Sequence, residues 1–358
     1  MKTFAWFIPL RNLDDFFYSY PKGKNYFDKK MKVEELKGVL LKLPPYVYLK
    51  IKNTISVGKI SIEGYVIILP LLPTQIVVDK MNILNKLESA FKISKELGVN
   101  IISLGGLLGL YGQEAVEIAR GMSMHVTTGL NYTAAIVTEA IKKAAVFKRL
   151  ELNNAKITLL GLDTPLGDIC LKILNKHDPT FIFVENIDKK FNEIDNSISN
   201  VNFKIEKKLG DALKKSEIVL ITTGSLSVDI DPADLNAHTI VCDAIHPFLN
   251  AKKIFKMRND VLAFEGTRVA QYSFLNRKSS RKWSRIFSGD DIYSCIGEAM
   301  ILAFEDRFEN YSLSGKKTSV ERVAEIYNLG IRHGFQVANF MCSKKIYSEN
   351  ELKRILLE

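Results

Sequence analysis

At 358 residues, with 47% hydrophobic and 25% charged content, the chain is long and apolar enough for two packed domains, which excludes a disordered or fibrous protein. Its formal net charge of +10 would suit an anionic partner (nucleic acid, a membrane face or an acidic protein) or serve solubility alone. Four cysteines without paired spacing and five scattered histidines argue against a disulfide framework, a zinc ribbon and a histidine metal cluster, and the absence of a signal-peptide pattern or a membrane-length apolar run makes a cytoplasmic protein with no transmembrane segment the expectation.

Residues 4–10 read as an opening strand and residues 21–32 as an exposed basic loop. Strands are expected at Tyr46–Ile55 and Glu63–Leu72, then one helix from Thr74 to Leu97, stopped at Gly98. Val99–Leu104 is a short buried strand feeding Gly105 and Gly106. A turn-rich piece follows at Gly109–Gly112, and Val126–Thr133 opens a long helix to about Leu150. From Lys156 the pattern becomes a series of short strands, at 156–161, 180–185, 201–206, 218–223, 239–244 and 261–265, with a short crossover helix at Asp211–Ser216. Such alternation predicts an α/β protein with a Rossmann-like doubly wound parallel sheet. The expected domains are an N-terminal α/β substrate domain at 1–130, a Rossmann domain at 131–287 with helix 131–150 as connector, and a C-terminal helical segment at 288–358. In that last segment Ser288–Asp291 resembles a helix cap. Helix Ser319–His333 ends at Gly334, and a charged tail helix closes the chain.

The densest fingerprint lies between the strand ending at Leu160 and the helix after it. Gly161 permits a tight turn, Gly167 lets the helix approach the strand, and Glu185 follows 24 positions after the first glycine. A helix N-terminus at that place offers N–H groups and a positive dipole end to a pyrophosphate. Thr164 stands where a middle glycine is usual, with a hydroxyl able to donate. Pro165 suits the first helical position, Leu166 follows it, and Asp163 adds a charge a phosphate would dislike. Glu185 is suited to a ribose 2′-OH, whereas Lys189 and Lys190 would favour a 2′-phosphate. Thr223 and Gly224, at the end of another strand, are further candidate cofactor contacts.

Cys295 is the candidate nucleophile. At the start of a helix the dipole would stabilise its thiolate and lower its pKa, Arg285 and its basic neighbours would add to this if the chain folds back, and Glu298 one turn on is placed to handle a proton. A single cysteine on an apolar helix face is more often a buried small hydrophobe, and Cys170, Cys242 and Cys342 are read that way. His246 stands at the carboxyl edge of the sheet, as an acid or base or as a loop cap, and His333 reads as a partner for a helix C-terminus.

Ile102–Gly106, Thr127–Ala134, Ile157–Gly167, Ile292–Glu305 and Ile331–Phe335, in this order and spacing, resemble the cyanobacterial long-chain acyl-[acyl-carrier-protein] reductases, which make fatty aldehydes. The resemblance runs over nearly the whole chain and implies a mechanism. A cysteine matched by Cys295 takes the acyl group from a carrier thioester, reduced nicotinamide discharges it as an aldehyde, Glu298 matches a nearby acid, and Thr127, Thr128 and Gly129 match the turn beside the reaction. It implies NADPH as cofactor, although Glu185 stands where the family has a basic residue, which leaves NADH open. It also implies an acidic acyl carrier protein docking on the basic run Arg277–Arg285 and an aldehyde-consuming partner enzyme, with no nucleic acid and no metal. Two other readings remain: an oxidoreductase acting on another activated acid or small metabolite, with Cys295 structural, and a catalytically silent binding subunit of the same fold.

Overall fold

The computed structural model describes residues 2–20, 33–185, 187, 200–223, 228–271, 273, 282–287, 291–313 and 318–358. The chain divides into two compact units. One is Met1–Tyr132, Ala270–Lys317 and Asn328–Gln336; the other is Thr133–Val269, Thr318–Tyr327 and Val337–Glu358. The stretch expected to stand apart at 288–358 is therefore shared between the two.

The first unit is built on β1 (Thr3–Pro9), β2 (Tyr46–Ile55), β3 (Ser61–Leu69), β4 (Ile101–Leu104) and β5 (His125–Thr127). Their order is β2-β3-β1-β4-β5, parallel except for β2, which runs antiparallel to β3. Ala5, Phe7, Ile67, Ile102 and Val126 of the sheet pack with Ile83, Leu87 and Phe91 of helix Lys80–Glu96 and Ala115 and Ala119 of helix Gly112–Arg120. Helix Ser294–Phe304 is buried at every position except Cys295, which is half-buried, so it is a core helix with one residue left partly open.

Three expectations shift here. The single helix at 74–97 is two, Pro73–Val78 and Lys80–Glu96, because Asp79 leaves the helical conformation and its side chain accepts from the Asn82 N–H. The turn at 109–112 belongs to a 3-10 turn, Gly106–Tyr111, that runs into helix Gly112–Arg120. Residues 288–290 lie outside the described residues, and Asp291–Tyr293 is a strand, so the cysteine helix starts after Tyr293 with no side-chain cap. The basic loop expected at 21–32 also lies outside the described residues.

The second unit holds β6 (Lys156–Leu160), β7 (Thr180–Val184), β8 (Phe203–Glu206), β9 (Ile218–Ile221), β10 (Ile240–Asp243) and β11 (Leu262–Glu265), in the order β11-β10-β9-β6-β7-β8 and parallel throughout. The strand order reverses between β6 and β9. This is the doubly wound Rossmann-type sheet that the sequence predicts, and its switch point falls where the glycine loop leaves β6. Each expected strand from 156 onward has its counterpart. Apart from the edge strand β8, whose residues are half-buried or exposed, the strands are short and apolar, as parallel strands covered on both faces must be. Among the described residues, no helix is long and apolar enough to cross a membrane, and no three His, Cys, Asp or Glu side chains gather to hold a metal.

Candidate active site

In the first unit, Cys295 is the second residue of its helix. The N–H groups of Ile296 and of Cys295 itself, together with the Trp6 indole N–H, favour its thiolate, yet burial outweighs them and pushes the thiol up to about 12. The lowered pKa expected from the helix dipole is thus corrected: desolvation wins at this site. Arg285 supplies a different contact from the one expected. Its guanidinium lies over the Tyr18 ring, 4.5 Å from the centroid, and donates to the Tyr18 carbonyl at 3.2 Å.

The Thr127–Tyr132 turn is held against this helix. Gly129 has φ +77, and a Cβ there would come within 2.3 Å of Cys295 Cα, so both backbone conformation and space require glycine. Glu298, fully buried one turn after the cysteine, fastens the turn. Its Oε1 accepts from the Thr127 hydroxyl, while its Oε2 accepts from the Tyr132 N–H at 2.8 Å and the Ser312 hydroxyl at 2.9 Å. Burial raises the Glu298 pKa, and the donors from Thr127, Tyr132, Ser312 and Gly129 pull it back. Both oxygens are occupied by the protein itself, an arrangement suited to positioning the turn. The Thr128 hydroxyl donates to the Ser312 carbonyl. Cys295, Glu298, Thr127 and Thr128 therefore sit together.

Two residues that sequence reasoning missed complete the cluster. Ser103 of β4 donates to the Cys295 carbonyl at 2.8 Å, and Ser312 links Glu298 to the Asn131 N–H. A lone hydroxyl inside the apolar strand Ile101–Leu104 was a signal available for Ser103; Ser312 lies in irregular chain and carried none.

The glycine loop lies in the second unit. Gly161 has φ +103, and a Cβ there would come within 2.7 Å of Thr223; one on Gly167 would come within 2.0 Å of the Gly161 carbonyl oxygen. Both glycines thus serve the turn and the close approach of helix to strand. Thr164 caps helix Pro165–Leu174, Pro165 opens it, and Leu166 and Gly167 are buried in its first turn. The Thr164 hydroxyl donates to the Gly161 carbonyl at 2.7 Å and accepts from the Gly167 N–H at 2.9 Å. It is occupied within the loop, which corrects its expected role as a donor to phosphate. The buried Thr222 hydroxyl, which donates to a carbonyl at the end of β6, is an unforeseen part of the loop.

Glu185 is exposed just beyond β7, with its N–H donating to the Glu206 carbonyl at 3.0 Å. Its position suits a ribose diol, and a helix N-terminus directly after β6 suits a pyrophosphate, so the residues fit a dinucleotide. Gly224, Lys189, Lys190 and the 277–281 part of the basic run lie outside the described residues. Of the rest of that run, Lys282 donates to the Tyr48 carbonyl at 3.1 Å.

His246 is half-buried with its ring edge-on to Phe248 at 5.3 Å. Nearby in sequence, burial pushes the Asp243 carboxyl up to about 6 against the N–H groups of Ala251 and Ile245. His333 meets the Glu305 carboxylate at 2.7 Å and stacks on Phe304, so its partners are side chains and not the helix end expected for it. Cys170, Cys242 and Cys342 are buried.

No model of a known protein family matches the chain. Aminotransferase PigE of a Serratia species is 22% identical over 284 residues, which cover 77% of this chain and 32% of that relative, so the chain spans about a third of its length. Of solved structures, L-tryptophan dehydrogenase from Nostoc punctiforme aligns over 92% of this chain and 80% of its own at 13% identity and a TM-score of 0.45. D-mandelate dehydrogenase from Rhodotorula graminis aligns over 62% and 76% at 10% identity and a TM-score of 0.31. Over most of both lengths, 82% of this chain and 87% of the relative, the chain is distantly similar, at 22% identity, to the long-chain acyl-[acyl-carrier-protein] reductase of Synechococcus elongatus.

Proposed function

We propose that the protein is an oxidoreductase that uses a reduced nicotinamide dinucleotide to convert a carrier-bound acyl thioester to an aldehyde through an acyl-enzyme at Cys295. The observation that carries this reading is the half-buried Cys295 near the N-terminal end of an otherwise buried helix, with the Gly129 backbone packed against it. The distant likeness to an acyl-[acyl-carrier-protein] reductase supports it.

A thioester carbonyl is strongly electrophilic, and sulfur is the best nucleophile a side chain offers near neutral pH. In the acylation step the Cys295 sulfur bonds to the acyl carbon, the carrier's carbon–sulfur bond breaks, and the thiol proton leaves with the departing sulfur. Glu298 fixes the Thr127–Tyr132 turn beside the sulfur, and Thr128 ties the same turn to the chain at Ser312. The Gly161–Gly167 loop at the start of helix Pro165–Leu174, with Thr164 shaping the turn, Pro165 and Leu166 opening the helix and Thr223 packed against Gly161, would hold the dinucleotide phosphates; the sequence adds Gly224 to these candidates. Glu185 would hold the ribose, which makes NADH as acceptable as NADPH. When bound, that cofactor supplies hydride.

A second reading, an oxidoreductase acting on another activated acid with Cys295 structural, is favoured by the burial that pushes the thiol up. The test is aldehyde formation from an acyl carrier thioester with NADPH or NADH. Loss of aldehyde in Cys295→Ser supports the first reading; aldehyde at the unchanged rate in that variant sinks it.

A further inference from the structure

Trp6 of β1 is the register neighbour of Ser103 on β4, and Ser103 donates to the Cys295 carbonyl, so one strand pair sets both the indole and the start of the cysteine helix. The indole is 4% exposed. It stacks on Phe287 with centroids 5.6 Å apart and leans on Tyr293 at 5.8 Å. Gly105 leaves it room, since a Cβ there would come within 2.5 Å of Trp6 Nε1. A buried indole N–H ordinarily finds an acceptor, because one left without bears its whole desolvation penalty. Among the described residues, none completes a hydrogen bond with Trp6 Nε1. Instead the N–H stands near enough to the Cys295 sulfur to favour its thiolate.

An aromatic cluster thus holds, in one orientation, an unsatisfied donor beside the candidate nucleophile. The carbonyl oxygen of a thioester lies one carbon beyond the sulfur, within reach of a donor already beside that sulfur. We propose that Trp6 is a catalytic residue whose indole N–H binds the acyl carbonyl oxygen at Cys295 and the alkoxide it becomes. This deepens the acyl-enzyme reading and rests on it. As the sulfur–carbon bond forms, the carbonyl electron pair moves onto oxygen, and the Trp6 N–H donates a hydrogen bond to that oxygen. When the pair returns, the donor's carbon–sulfur bond breaks and the departing sulfur carries away the Cys295 proton. Neither step needs a cofactor.

The test uses octanoyl-pantetheine as acyl donor and iodoacetamide as a probe of the sulfur, both without nucleotide. Trp6→Phe keeps a ring and removes the donor. Replacing the indole by benzothiophene, through incorporation of benzothienylalanine in a Trp283→Phe background, removes the N–H while keeping the shape. Both changes are expected to slow acylation of Cys295 about 100-fold and to move the iodoacetamide profile to higher pH, while Trp283→Phe alone acylates like the wild type. Acylation of the benzothiophene protein at the wild-type rate overturns the proposal, even if Trp6→Phe is slow through misfolding. A wild type that takes no acyl group overturns the acyl-enzyme reading and this one together, whereas equal rates in wild type and Trp6 variants overturn this one alone.

Discussion

The cysteine site and the glycine loop handle their polar groups in opposite ways. Around Cys295 the carboxylate, hydroxyls and turn N–H groups are satisfied by one another, while Cys295 is left half-buried and the Trp6 Nε1 completes no hydrogen bond among the described residues. In the glycine loop the Thr164 hydroxyl turns inward and occupies the Gly167 N–H, a donor that a helix N-terminus would otherwise present to phosphate. A site for chemistry leaves unsatisfied the groups that will meet the reacting atoms. By that standard the cysteine site has a donor in hand for the acyl transfer we propose, and the loop would meet a nucleotide with one donor fewer.

The largest effect expected of this contrast is on pH dependence. The Cys295 thiol lies far above neutrality because burial outweighs its donors, so its thiolate fraction rises about tenfold per pH unit throughout the neutral and mildly alkaline range. Alkylation by iodoacetamide, followed by mass spectrometry, should climb about 1000-fold from pH 7 to 10 without levelling off. A plateau near pH 7 would mean that the helix dipole wins after all. Next in size is Gly129→Ala, which forces a Cβ onto Cys295 Cα at a φ that alanine resists. It should cost about 3 kcal/mol or more of stability in denaturant titration and lower Cys295 acylation further than the stability loss explains. An unperturbed variant would show that the turn does not press on the helix.

The smallest effect sharpens the other side of the comparison. Thr164→Gly removes the capping hydroxyl, at about 0.3 kcal/mol, and frees the Gly167 N–H. Binding of NADPH or NADH, read by fluorescence titration, should tighten by up to about tenfold while the melting temperature falls. Weaker binding would show that the threonine hydroxyl itself serves the nucleotide.

Much of the scaffold was legible because its signals are local. Each buried parallel strand announced itself as a short apolar run, and Gly161 and Gly167 marked the turn and the close approach that the backbone requires. Cys295 and Glu298 stood out in the sequence as a cysteine at a helix start and a carboxylate one turn on, Thr127 only through the resemblance, and the structure packs the three together. Their electrostatics were not legible, since the rise in the Cys295 pKa comes from burial by residues far away in the chain. Ser312, which bonds Glu298 from 14 residues on, and Trp6, which meets Cys295 across the sheet, are tertiary facts that no spacing encodes. The break at Asp79 was missed because the apolar residues on either side keep helical spacing through it.

The central claim is that Cys295 takes an acyl group from a thioester. Intact-mass analysis of the protein incubated with an acyl carrier thioester, before any nucleotide is added, tests it most directly. The expected result is one added acyl mass, mapped to the peptide holding Cys295, absent in Cys295→Ser and lost when NADPH or NADH is supplied. An unmodified wild type, or an adduct that persists in Cys295→Ser, would contradict it.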